Sequence, residues 1–340
     1  MARDHGFHAA RITRVIQETP DTRTYVLDAP FDYRAGQFLT FRVRGTLRSY
    51  SMSSCPETDP ELMTTVKRVP DGLVSNWMHD NLRPGDTVEV TQPTGVFCLL
   101  DNAGDSRPLV AFAGGSGITP IMSLAKNALA TTGRRVRILT ANRDAESVIF
   151  AAALAELSAR YPGRLEVRYH LDADSGFVTA GEVRDFAGTE FAGTDRGADF
   201  YLCGPEPFMD LVENALLGHG VDAGQILVER FAAVADIAVT SDTAVASDTA
   251  GGTITIVLDG DRRSVARRAG DTLLESARRA GLAPPFSCEA GNCATCIAHI
   301  TEGEVKMRVN NVVDDDELAD GWVLTCQSEP VTPNVTVVYD

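Results

Sequence analysis

Through the first hundred residues, apolar and polar positions alternate with a period of two over short segments. These are RITRVIQET, TRTYVLDA, QFLTFRVRG, LRSYSMSS, LMTTVKRV and DTVEVTQ, separated by turns such as Arg34-Ala35-Gly36 and Arg83-Pro84-Gly85-Asp86. Many short strands at this spacing predict an antiparallel β-barrel or sandwich, interrupted by one helix over 73–82. From about residue 107 the period changes. Strand-like runs at 108–113, 136–140, 165–169 and 199–203 alternate with helical runs at 120–130, 147–159 and 206–219. That alternation predicts βαβ units and a parallel sheet. Residues 235–252, ADIAVTSDTAVASDTAGG, sustain no period and repeat SDTA, which predicts a flexible linker. From Thr253 the order is strand, strand, helix, cysteine-bearing loop, strand and late strands. In that helix Asp271 is the expected N-cap and Gly281 the C′ stop, with Pro284-Pro285 blocking continuation. The chain is thus read as four parts: 1–105, 106–234, a linker at 235–252, and 253–340.

Composition agrees with several cores. Of 340 residues, 44% are hydrophobic, enough for two or three domains. Asp and Glu number 47 against 31 Lys and Arg, a net charge of −16. That excess excludes nucleic acid, whose phosphates need cations, and disfavours an anionic membrane surface. It suits either solubility alone or an acidic face for a basic partner. MARDHGFHAARITRV carries no apolar signal core, and no run of about 18 apolar residues exists. A cytoplasmic protein is expected, whose seven cysteines serve as metal ligands or free thiols rather than disulfides.

The most specific pattern is Cys288-x4-Cys293-x2-Cys296, completed by Cys326 after a gap of 29 residues. Four thiolates at this spacing are the plant-type ligand set of a [2Fe-2S] cluster. Three of them must converge on one small inorganic core. Ala290, Gly291, Ala294 and Thr295 are small enough for the backbone to wrap it and aim N–H groups at sulfur. A structural zinc site is the alternative, but zinc sites usually present paired Cys-x2–4-Cys knuckles, and only one is present here. Asp314-Asp315-Asp316-Glu317 opens a short helical pattern and reads as favourable acids at a helix start, or as a docking patch.

Three further motifs suggest nucleotide sites. In Arg48-Ser49-Tyr50-Ser51, period two puts Arg48 and Tyr50 on one strand face, so Arg48 meets an anion while Tyr50 packs on a ring system. Ser51 is placed to offer a hydroxyl to a heterocycle edge. Gly72-Leu73-Val74-Ser75 opens a helix whose free N–H groups, with Ser75, suit a phosphate. Gly114-Gly115-Ser116-Gly117-Ile118-Thr119-Pro120 follows a strand and opens another helix, with Thr119 the expected N-cap and Pro120 the first helical residue. Its glycines admit a pyrophosphate, although it is not the G-x-G-x-x-G fingerprint. Cys203-Gly204-Pro205 ends a strand at the carboxyl edge, where such sheets bind ligands. Cys203 also has the plain reading of a small buried hydrophobe, and Cys55 and Cys98 read as structural. Arg143, after the second strand, suits a 2′-phosphate that Asp144 would repel.

Together, RSYS, GLVS, GGSGITP and CGP resemble the ferredoxin–NADP reductase family, and the last 88 residues resemble plant-type ferredoxins, a β-grasp fold. The resemblance implies an antiparallel β-barrel flavin domain, an α/β parallel-sheet nicotinamide domain and an α+β ferredoxin domain. It implies FAD, bound by Arg48, Tyr50, Ser51, Gly72, Val74 and Ser75, with Lys67 and Arg68 as further candidates. It implies NADH, or NADPH, bound by Gly114, Gly115, Gly117, Thr119, Arg143, Gly204 and Pro205. Ser51, Cys203 and Phe231 then stand at the reacting rings, Phe231 shielding the flavin. Cys288, Cys293, Cys296 and Cys326 hold the cluster. The whole-chain order is similar to reductases of bacterial multicomponent oxygenases. YLCGPEPFM, PFSCEAGNCATC and the tail NNVVDDDELADGWVLTCQSEP look like the group serving 3-ketosteroid 9α-hydroxylases, which are Rieske-type oxygenases. Reductases of phenylacetyl-CoA epoxidases share the architecture, so another oxygenase partner stays open. None of His5, His8, His79, His170, His219 and His299 joins an evident oxygen-activating pattern, so the final acceptor is expected to be another polypeptide. A reading from a different class is a non-enzymatic redox sensor that keeps the cofactors; turnover of NADH with cytochrome c separates the two.

Overall fold

The structure, a computed structural model, describes residues 7–44, 46–95, 97–99, 107–188, 197–230, 251–258, 260–268, 270–282, 284–286, 291, 294–310 and 312–339. Phe231, Cys288, Cys293 and all but the last two residues of the expected linker lie outside them. The chain falls into two compact units. The larger comprises 6–43 and 50–231, and the smaller the remainder.

In chain order the first elements are β1 (His8–Thr19), β2 (Thr22–Asp28), β3 (Phe38–Val43), β4 (Thr46–Ser51), of which residues 46–49 group with the smaller unit, β5 (Leu62–Lys67), α1 (Leu73–Asn81) and β6 (Thr87–Val90). The strands form one sheet in the order β4-β3-β6-β1-β2-β5. An isolated antiparallel bridge from Met52, just past β4, to Thr64 on β5 links the two outer strands, as in a barrel. Period-two alternation sends Ala10, Ile12, Leu39, Phe41 and Val66 inward. Val74 and Met78, one turn apart on α1, pack on the same core.

Next come β7 (Leu109–Gly114), α2 (Ile118–Thr131), β8 (Val136–Asn142), α3 (Ala151–Arg160), β9 (Leu165–Leu171), α4 (Asp172–Ser175), α5 (Ala180–Ala187), β10 (Asp199–Gly204), α6 (Glu206–Gly218) and β11 (Ile226–Arg230). The sheet order is β11-β10-β7-β8-β9, all parallel. Every residue of β7 and β10 is buried, as expected for strands covered on both faces. One core holds Ile121, Leu124 and Leu154 from α2 and α3; another holds Val183 and Phe186 from α5 and Val212 and Leu216 from α6.

Some local expectations are corrected. α2 starts at Ile118 with Gly117 as its N-cap, so Thr119 does not cap it and Pro120 is not its first residue. A tight 3-10 turn over Gly115–Gly117 begins the coil early. α3 starts at Ala151 rather than 147. Asp144 instead caps a separate turn, accepting from the Ser147 N–H at 2.9 Å, and Phe150 takes a left-handed φ of 62° that breaks the run. α5 and β11 have no counterpart among the expected elements.

At the amino ends of these strands lies a buried charge group. The Asp199 carboxylate, at 0% exposure, pairs with Arg134 at 2.9 Å and Arg107 at 3.0 Å. Arg134 is itself 2% exposed. Removing the acid strands buried positive charge, so Asp199→Asn is expected to lower stability by about 3–5 kcal/mol, read by urea unfolding. An unfolding midpoint equal to wild type would contradict this.

The smaller unit carries β12 (Thr253–Leu258), β13 (Asp261–Ala266), α7 (Leu273–Arg279), β14 (Ile297–Glu302), β15 (Val305–Met307), α8 (Asp315–Ala319), β16 (Trp322–Leu324), β17 (Ser328–Pro330) and β18 (Asn334–Tyr339). A mixed sheet runs β13-β12-β18-β14-β16, with β12 and β18 parallel. Leu273 and Ala277 of α7 pack on Ile254, Ile256 and Val337, a β-grasp arrangement. The cap of α7 is Thr272, not Asp271. Thr272 and Glu275 form a reciprocal capping box, while Asp271 pairs with Arg279 at 2.8 Å. Gly281 follows the helix at φ 75°, as expected of a C′ stop. Asp314 caps α8 in a capping box with Glu317, which satisfies the helix-start reading of that acidic run. Among the described residues, no helix is long and apolar enough to cross a membrane.

Candidate functional site

In the larger unit, two predicted loops meet backbone to backbone. Gly114 and Gly117 flank the turn after β7; Cys203, Gly204 and Pro205 end β10, its sheet neighbour. A β-carbon at Gly117 would run into the Cys203 carbonyl and come within 2.7 Å of the Gly204 nitrogen. One at Gly114 would lie 2.7 Å from the Pro205 ring and 3.0 Å from Phe208. Gly204, at φ 159°, sits with its missing β-carbon 2.9 Å from Gly114. These glycines are therefore needed for close approach of the two loops. Thr119, buried at 2%, has its hydroxyl without a partner among the described residues, so a donor or acceptor remains for a ligand at this turn.

Beside this crossing, Ser51 on the end of β4 is 3% exposed, and its hydroxyl donates to Glu229 Oε2 at 3.0 Å. Glu229 is on β11, in register with Cys203 on β10. The Cys203 thiol is wholly buried. Burial, then the Glu229 charge, push its pKa well above the ordinary thiol range, so it stays protonated and is no nucleophile. Ser51, Glu229 and Cys203 thus form one polar-edged cluster at the carboxyl ends of the parallel strands. Glu229 is the member that sequence reading misses. Val228-Glu229-Arg230 has no motif of its own, and only the β10–β11 register places it opposite Cys203.

Arg48 and Tyr50 lie two apart on β4 and are both half-buried; Tyr50 packs edge-on to Phe41 with ring centroids 5.6 Å apart. Gly72 caps α1 with no side-chain acceptor, leaving the first helical N–H groups for an anion. A β-carbon there would crowd Ser75 Oγ at 2.5 Å and a Val69 methyl, so a larger residue would displace the Ser75 hydroxyl. Val74 faces the barrel core. Arg68 is tied to Asp80 and Asn76 on α1. Within the larger unit, the bare helix-start donors of α1 and the aromatic ring of Tyr50 fit a phosphate-bearing aromatic cofactor.

Lys67 and Arg143 come together through Asp21, a residue that no sequence motif marks. The Asp21 carboxylate is 3.8 Å from Lys67 Nζ and 3.3 Å from Arg143 Nη2. Lys67 Nζ also lies 3.7 Å from where a β-carbon on Gly115 would stand.

In the smaller unit, Cys296 and Cys326 are 2% and 6% exposed and belong to one cluster with Leu274, Val313 and Leu324. Thr325 ties them together, its N–H and hydroxyl reaching the Cys296 carbonyl at 3.1 and 2.8 Å. Gly291 takes φ 77°, with Val309 O 2.7 Å from its missing β-carbon, and Ala294 is left-handed at φ 52°. The backbone thus curls tightly just before the thiols, as wrapping a small cluster requires. The Thr295 hydroxyl is buried without a partner among the described residues. Two buried thiols in an apolar shell fit an iron–sulfur group. By contrast Cys55, whose thiol burial pushes up to about 11, donates to Glu57, and Cys98 is likewise buried away from these groups.

Comparison with known proteins accounts for all three regions. Residues 9–98 match an oxidoreductase FAD-binding domain, 112–214 an oxidoreductase NAD-binding domain, and 256–331 a 2Fe-2S iron-sulfur cluster binding domain. The chain is 37% identical over 347 residues to the ferredoxin reductase component of 3-ketosteroid-9-alpha-monooxygenase from Mycolicibacterium smegmatis, covering 97% of this chain and 96% of that one. It is 32% identical to a component of the 1,2-phenylacetyl-CoA epoxidase of Escherichia coli, over 98% of each. It is 31% identical to the glycine betaine monooxygenase reductase of Pseudomonas aeruginosa, over 96% of this chain and 94% of that one. Among solved structures, phthalate dioxygenase reductase superposes with a TM-score of 0.60 at 27% identity, over 98% of each chain.

Proposed function

Because this chain belongs to the family of reductase components of multicomponent oxygenases, with FAD-binding, NAD-binding and 2Fe-2S domains, we propose that it carries electrons from NADH to a Rieske-type terminal oxygenase, a 3-ketosteroid 9α-hydroxylase. The observation that carries the redox reading is the convergence of Ser51, Glu229 and Cys203 on the glycine crossing. The steroid partner rests on the 37% identity over nearly the whole chain, against 31–32% for relatives named for other oxygenases. The near-complete coverage of the phenylacetyl-CoA epoxidase component favours a second reading, service to an acyl-CoA oxygenase.

When bound, the flavin takes two electrons with the hydride and the [2Fe-2S] cluster takes one at a time, so the pair converts hydride chemistry into single-electron delivery. The chain's own residues bind and orient. The α1 start would hold flavin phosphate and Tyr50 would pack on the ring system, with Arg48 a further phosphate candidate on β4. Gly114, Gly115, Gly117, Thr119, Gly204 and Pro205 admit the coenzyme close to backbone. Ser51 donates its one proton to Glu229, which fixes the hydroxyl and would leave its lone pairs to accept from the flavin edge, and buried Cys203 would keep water from the reacting carbon. Phe231 lies outside the described residues; by family resemblance it would be the aromatic residue that shields the flavin. Cys288, Cys293, Cys296 and Cys326 hold the cluster, in the reducing cytoplasm where thiols stay free.

Losing the contact that positions a reacting ring, a displacement of about an ångström, costs about 100-fold in kcat. Ser51→Ala is accordingly expected to slow NADH oxidation with ferricyanide by that order while KM changes little. A rise in KM at unchanged kcat would contradict its placement at the ring. The partner is tested by reconstituting the purified chain, NADH and each candidate oxygenase. Steroid hydroxylation supports the first reading; coupling only to the acyl-CoA epoxidase would replace it with the second.

A further inference from the structure

The β1–β2 turn of the barrel places a carboxylate inside the nucleotide-binding half of the larger unit. Asp21 Oδ1 accepts from the hydroxyls of Thr19 at 2.8 Å and Thr22 at 3.0 Å, which fix the side chain. Oδ2 is left facing two cations, Arg143 at 3.3 Å and Lys67 at 3.8 Å. Partial burial works against the charge, but the Thr19 hydroxyl, Lys67, Thr22 and Arg143 outweigh it, and the carboxyl is held below its ordinary pKa. Asp21 is therefore a fixed, partly exposed anion at neutral pH, and Arg143, 68% exposed, reaches it from solvent.

Its location gives it a consequence for coenzyme choice. Lys67 stands over Gly115 in the turn after β7, where a pyrophosphate belongs. Arg143 follows β8, the next strand of the sheet, where the adenosine ribose of a dinucleotide lies in parallel sheets of this kind. A 2′-phosphate would need Arg143, yet Arg143 already has a carboxylate partner. Asp144 beside it has its own carboxylate turned into the cap of the following turn. Lys67 and Arg143 thus share one acid, Asp21, while Asp144 is taken up by its own turn.

We infer that Asp21 is a specificity-determining residue: by neutralising Arg143 from the barrel side, it makes the site reject a 2′-phosphorylated coenzyme and accept NADH. This rests on the proposed reading of the glycine turn as the coenzyme site. An incoming 2′-phosphate, with close to two negative charges, meets Asp21 across a few ångströms; a 2′-hydroxyl does not.

The test uses flavin-loaded full-length protein and Asp21→Asn, which keeps the shape and the Thr19 and Thr22 contacts. Calorimetric titration with 2′,5′-ADP and with 5′-AMP gives a ratio of affinities. That ratio is expected to shift about tenfold toward the 2′-phosphate in the variant. The kcat/KM ratio of NADPH to NADH is expected to rise by a similar factor, through KM. Adding Arg143→Gln to Asp21→Asn should abolish the gain. An unchanged ratio, or equal weakening of both probes, would overturn the role of Asp21, the latter marking a purely structural turn. If wild type bound 5′-AMP but oxidised neither coenzyme, the reductase reading would fall, while the calorimetric ratio still judges Asp21.

Discussion

Cys326→Ser is expected to leave NADH-to-ferricyanide turnover nearly intact and to remove cytochrome c reduction by ~100-fold or more, since even outer-shell changes at metal sites cost 10–100-fold. Cys326 is held between β16 and β17, next to Thr325, whose two bonds to the Cys296 carbonyl bring the two thiols into one apolar pocket. A hydroxyl there is a harder, far less acidic donor than a thiol and does not replace a thiolate on iron. Ferricyanide, a small soluble oxidant, takes electrons from the flavin directly, so the damage is confined to the later step. Iron content, measured on the same samples, should fall with cytochrome c activity. Cys55→Ser serves as the control: that thiol is buried in the larger unit against Glu57, and its loss should leave iron content unchanged. Equal iron in all three proteins would contradict the assignment.

Gly117→Ala is expected to reduce turnover with both acceptors by about 100-fold, the cost of displacing a reacting group by roughly an ångström. The new methyl group would run into the Cys203 carbonyl, with the Cys203 and Gly204 backbone behind it. β10 is hydrogen-bonded on both sides, to β7 and β11, and does not yield. The glycine turn must therefore shift away from β10, opening the crossing where coenzyme and flavin are proposed to meet. KM for NADH should rise along with the fall in kcat, because the same turn is proposed to hold the pyrophosphate. Gly133→Ala is the matching control, for that position meets no atom within 4 Å. Turnover of Gly117→Ala at the wild-type level would show that the loops tolerate separation and do not form the site.

Much of the fold and site is legible because strong local signals coincide with function. Period two locates each strand of the barrel, and short-range glycine and cysteine spacings mark the turns after β7 and β10 and the thiol loop. What escapes is information held in tertiary register. Glu229 and Asp21 are ordinary acids in ordinary segments. One becomes part of the site because β11 pairs in register with β10, the other because the β1–β2 turn reaches across to Arg143. Helix starts mislead for a related reason. Asp271 and Thr119 both have cap-competent side chains, but an ion pair claims one and a tight turn bypasses the other. The Met52–Thr64 bridge between the outer strands also has no sequence mark.

The central claim is that hydride electrons entering at the flavin leave through the thiol-held cluster of the same chain. Anaerobic titration of purified protein with NADH, followed by visible absorption and electron paramagnetic resonance, tests it most directly. The account predicts bleaching of flavin and iron–sulfur absorption together, with the paramagnetic signal of a reduced [2Fe-2S] cluster appearing as NADH is added. Flavin bleaching alone, with the iron still oxidised and no signal at any NADH ratio, would contradict it.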